Sequence, residues 1–206
     1  MPQAARHSRI GTGDAQATIV QSGGLDARNA PCLKRGHDLD RYDGLARLFH
    51  WVFAAGIIYA SIAGYTLAQL SSGPERDFLS RLNMSITTVL IVLFPLRVCW
   101  KIARTEPRAL PGVSDAQRAL AHRVHTLVYI VIFAVLASGF LMVPNGYPFF
   151  GLIEIHTPFV KGAVTDELFV IHRASCALLA GLVLLHVLAV VKHQLIARTD
   201  VLRRML

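Results

Sequence analysis

His172 and His186 stand at positions i and i+14 of DELFVIHRASCALLAGLVLLHVLAVVKHQLIAR, a nearly unbroken apolar stretch from Asp166 to Arg198. Ionisable side chains at membrane depth are costly, which makes them functional candidates. Over that spacing a helix turns about 1400°, roughly 40° short of four full turns, and climbs about 21 Å. The two imidazoles therefore point nearly the same way at two depths of one membrane. That arrangement suits two stacked b-type haems, and it also suits two polar residues hydrogen-bonded inside a helical bundle. His50 opens an earlier apolar run within Arg47-Leu48-Phe49-His50-Trp51, and His122 and His125 open another as His-x-x-His.

Four elements must position these groups. A helix of about 32 residues rises roughly 48 Å, enough to cross a bilayer. Apolar segments run from about Leu45 to Leu70, Phe78 to Ala103, Ala119 to Val143 and Asp166 to Arg198. With 53% hydrophobic residues and mean hydropathy +0.46, the 206-residue chain reads as a membrane protein rather than a soluble domain. The formal charge of +8 would suit nucleic acid. The basic residues gather at the ends of the apolar segments, however, which is the membrane-flanking pattern. Lys101, Arg104, Arg108, Arg118 and Arg123 surround the second loop, whereas Lys161 stands alone in the third. Positive-inside then puts both termini in the cytoplasm, which four spans make self-consistent.

Several chemistries are excluded. No CxxCH occurs, so any haem is held by ligation and packing. Cys32, Cys99 and Cys176 have no zinc or iron–sulfur spacing, HxxH without HExxH makes no metalloprotease, and no GxxxxGK[ST] is present. Residues 1–43 are polar, lack an apolar leader core and read as a disordered cytoplasmic tail. Cys32 and His37 read as isolated tail residues. Gly64 repeats the i+14 spacing from His50, and Gly139 repeats it from His125, so each helix shows an imidazole at one depth and no side chain at the other. Such a glycine leaves room for the edge of a flat ring, or for a close helix neighbour.

Depth sorts the histidines. His50, His122, His125 and His186 fall on the cytoplasmic side, and His172 and Asn83 on the outer side. A low-spin b haem needs two axial ligands from opposing helices. The cytoplasmic-side site is supplied by His186 with His50 or His125. The outer site has His172 and no opposing histidine at the expected place.

The chain resembles the bacterial cytochrome b561 proteins over about residues 41 to 206. The resemblance rests on the RLxHW opening and on VLIVLFPLRVCWK in the second segment with its Pro-bearing loop. LAHxxH in the third segment and His-x13-His in the fourth complete it. It implies an all-α integral membrane four-helix bundle over residues 44–206 that binds haem b, two copies in the family. One haem would be held by His50 and His186. The other would be held by His172 and a second-segment histidine whose place is taken here by Asn83. Met84 or His156 as sixth ligand, a five-coordinate outer haem, and a mono-haem protein all stay open. His122 and His193 read as propionate, quinone or interfacial neighbours. The resemblance further implies electron exchange with ubiquinone or ubiquinol, and at least one relative oxidises superoxide at the periplasmic side. The alternatives are a haem-bearing membrane anchor for a partner oxidoreductase and a haem-based redox sensor. The partners expected are the lipid bilayer, quinone and a redox protein, with no nucleic acid.

Overall fold

The computed structural model describes residues 42–104 and 114–195, together with Leu202 and Met205. The expected tail up to residue 41, with Cys32 and His37, lies outside the described residues, as does most of the basic loop around Arg108. Four helices form the architecture: α1 Gly44–Gln69, α2 Pro74–Ala103, α3 Asp115–Leu141 and α4 Ala163–Leu195. All four are long and apolar enough to cross a membrane. Large apolar side chains such as Ile62, Val92, Phe133 and Leu185 point outward. That inversion is what lipid demands, because the bilayer supplies the apolar solvent that a soluble bundle lacks.

Local chemistry sets the helix ends. Asp43 caps α1 through Ala46 N–H at 3.0 Å, and the same Oδ2 accepts from Trp100 Nε1 at 2.7 Å, tying the start of α1 to the end of α2. α2 starts at Pro74, ahead of the expected Phe78, because Pro74 is preorganised for a first turn and Glu75 and Asp77 complement the helix dipole there. Pro95 lies inside α2, which continues through it. α3 opens with a full capping box: Ser114 Oγ accepts from Gln117 N–H, and Gln117 Oε1 accepts from Ser114 N–H. The small core joins Phe53 of α1, Leu90 of α2, Val131, Ile132 and Leu136 of α3, and Leu179 and Leu182 of α4. α1 packs along α2 and α3 along α4, and backbone contact between α1 and α4 is slight.

The segment between α3 and α4 reads from sequence as a loop lying on the membrane surface. Within it lies a hairpin, β1 Tyr147–Phe149 paired antiparallel with β2 Ile153–Ile155. Its entry turn places Gly146 at φ 114°, where a Cβ would strike the Ile155 carbonyl. The hairpin docks on α2. Phe150 N–H donates to Ser85 Oγ at 2.9 Å, and the Tyr147 hydroxyl meets that of Thr88. Ser85 is completely buried beneath it.

Candidate functional site

Three imidazoles meet where the start of α1, the start of α3 and the last third of α4 come level. The His50 and His186 ring centroids are 6.4 Å apart, and those of His125 and His186 are 5.7 Å apart. His50 and His186 are half-buried, and His125 is exposed. Among the described residues none of the three rings has a hydrogen-bond partner; their contacts are with one another and, for His50, with Trp51. This end of the bundle also carries Arg97 and Lys101 of α2. Arg97 Nη1 donates to the Phe49 carbonyl at 2.7 Å and Nε to the Tyr129 hydroxyl at 3.1 Å. Its guanidinium stacks over Phe53 at 4.8 Å, and Lys101 lies 4.3 Å over the Tyr129 ring. The guanidinium thus fixes the backbone immediately before His50. From sequence, Arg97 reads only as a charge near the end of its segment. The signal it carries is an arginine set well inside the end of an apolar span.

The opposite end is arranged differently. His172 Nδ1 lies 3.1 Å from the Val135 carbonyl and 3.3 Å from Ser138 Oγ, both on α3. A carbonyl can only accept, so Nδ1 carries the proton. Nε2 is then the acceptor facing Cys176 Sγ at 3.5 Å. Gly139 sits directly beneath this ring: a Cβ there would lie 2.9 Å from His172 Cε1. The space over Gly139 is thus filled by the imidazole of His172 itself. A Cβ on Gly64 would meet nothing within 4 Å. Asn83 Oδ1 is buried without a partner among the described residues. Met84 accepts a weak contact from Ser80 Oγ at 3.8 Å, and His156 is exposed on the hairpin. His122 lines an open cavity of about 430 Å³ with Asp115, Arg118, Ala119 and Arg123 at the start of α3, away from the imidazole cluster's own contacts.

A family model described as prokaryotic cytochrome b561 matches residues 41–206. The chain belongs to the prokaryotic cytochrome b561 family. It is 29% identical over 179 residues to "Cytochrome b561 homolog 2" of Escherichia coli (strain K12), a match covering 81% of this chain and 92% of the relative. A cytochrome b561 is a membrane haem protein, so the histidines can be tested against that cofactor. His50 and His186, from different helices and 6.4 Å apart between ring centroids, are close enough that both could reach one metal, and His125 lies 5.7 Å from His186. Imidazole is also the donor that suits iron. The donor set at this end therefore fits a b haem.

Proposed function

We propose that this cytochrome b561 serves electron transfer with a haem b that His50 of α1 and His186 of α4 would hold. The observation behind this reading is the pair of half-buried imidazoles, without a hydrogen-bond partner among the described residues and 6.4 Å apart between centroids. His125 is the neighbour of that pair, standing at the exposed edge of the cluster. When bound, a b haem supplies a one-electron couple, and the protein's levers on it are ligand identity, polarity and burial. Arg97 places a fixed positive charge beside His50, and its bond to the Phe49 carbonyl holds the ligand's backbone in place. Phe94 joins Phe53, Tyr129 and Phe133 in a run of ring contacts that links α1, α2 and α3 next to Arg97. The basic residues around the cluster support a reading in which this end lies at the cytoplasmic face of an inner membrane. Quinone held in the bilayer is the exchange partner that such a lipid-facing site meets. Superoxide oxidation at the outer face is not included, because His172 there is packed onto α3.

The test is the dithionite-reduced spectrum of the purified protein and of three variants. His50→Ala and His186→Ala lose the low-spin b-type bands, while His125→Ala keeps them. A wild-type protein without haem, or an unchanged low-spin spectrum in His186→Ala, would refute the assignment.

A further inference from the structure

We infer that the second haem position expected of this fold is closed by protein in this chain, which therefore binds a single haem and has no internal wire across the membrane. The inference rests on the haem reading above and deepens it. Two observations at the far end carry it.

First, the coordinating nitrogen of the histidine available there faces protein. His172 donates Nδ1–H to the Val135 carbonyl, which leaves Nε2 as the nitrogen that would bind a metal. Nε2, however, has Cys176 Sγ of its own helix at 3.5 Å, and the ring edge rests on α3, with Cε1 2.9 Å from where a Gly139 Cβ would sit. A metal about 2 Å from Nε2 would have to displace that thiol.

Second, the opposing donor is an amide. Asn83 Oδ1 is buried and lacks a partner among the described residues. A buried carbonyl oxygen needs a hydrogen-bond donor. The face of a haem offers none, and oxygen donors suit hard cations rather than haem iron.

Among the described residues the imidazoles at the other end have no hydrogen-bond partner, so the contrast lies within one molecule. Electrons then enter and leave through the half of the bundle that carries His50 and His186.

The experiment measures haem per chain in full-length protein loaded with excess haem b, by pyridine haemochrome against quantitative amino-acid analysis. The spectrum and a redox titration are recorded on the same samples. The expected result is one haem and a single midpoint, lost in His186→Ala and kept in His172→Ala with an unaltered spectrum. Asn83→His tests the packing argument separately, because a site closed by the packed His172 still takes one haem when the missing histidine is restored. Two haems in wild type or in Asn83→His overturn the inference and leave the His50–His186 assignment standing. One haem that survives His186→Ala and is lost in His172→Ala overturns it as well. Absence of haem removes both readings together.

Discussion

Gly139→Ala probes whether the His172 ring is packed on α3. The new Cβ would stand 2.9 Å from Cε1 and 3.2 Å from Nδ1, against the 3.4–4 Å of ordinary contact. The ring must therefore retreat by about half an ångström, and it is pinned by the Val135 bond on one side and Cys176 on the other. Overpacking of this kind costs about 1–3 kcal/mol. A weakened bond to a buried carbonyl adds about 1 kcal/mol. Replacing a helical glycine by alanine returns up to about 1 kcal/mol. The net is a destabilisation of about 1–3 kcal/mol, or a fall in Tm of roughly 3–10 °C for a chain of this size. Far-UV circular dichroism of the detergent-solubilised protein measures it. Gly181→Ala serves as control, since a Cβ there meets nothing within 4 Å. Haem content is expected to stay at the wild-type level in both variants. A Gly139→Ala protein that melts with or above Gly181→Ala would refute the packing. A Gly139→Ala protein that sheds haem would show that the far end serves the cofactor after all.

Three further outcomes are expected. Gly64→Ala adds a methyl group to open space, so the fold should be unchanged or up to about 1 kcal/mol more stable, with haem content equal to wild type; loss of haem would place a ring edge over Gly64. Arg97→Gln removes the positive charge beside His50 and should lower the haem midpoint by some tens of millivolts in a redox titration, since the reduced form loses a stabilising cation; a midpoint that stays or rises would exclude this role. Ser85→Ala strips the acceptor from the Phe150 N–H beneath the docked hairpin, at a cost of about 1–3 kcal/mol, and should speed amide exchange over residues 147–155 without touching the haem spectrum; unchanged exchange would show that the hairpin is held by other contacts.

The four spans are legible in the sequence because lipid requires long apolar runs, and the levels of His50, His125 and His186 follow from their place within those runs. The start of α2 is not legible, because Pro74, Glu75 and Asp77 have the composition of a turn as well as of a helix's first turn. The hairpin is hidden too. Asn145-Gly146 is a turn signal, and both residues do take positive φ, but such short strands give too brief an alternation to register. The docking partners Ser85 and Thr88 carry no local signal at all. They look like ordinary small polar residues in a membrane helix, and only the returning chain makes them partners.

His172 shows most clearly what spacing cannot decide. It shares a face of α4 with His186, so periodicity treats the two as equivalent. What separates them is the residue opposite on α3. The spacing from His125 forward to Gly139 equals the spacing from His186 back to His172, so the two facing pairs belong to one antiparallel register. At one level α3 presents an imidazole, whose bulk keeps His186 out of the helix interface and leaves it level with His50 of α1. At the other level α3 presents a glycine, and the His172 ring drops into the hole until Cε1 would touch the missing Cβ and Nδ1 reaches the Val135 carbonyl. In the sequence, a glycine at that spacing from a histidine reads as room for a flat ring; the ring that takes the room is the imidazole across the interface. The same helix face thus carries an imidazole beside other imidazoles at one depth and a packed side chain at the other, and the residue opposite on α3 differs between the two by a side chain.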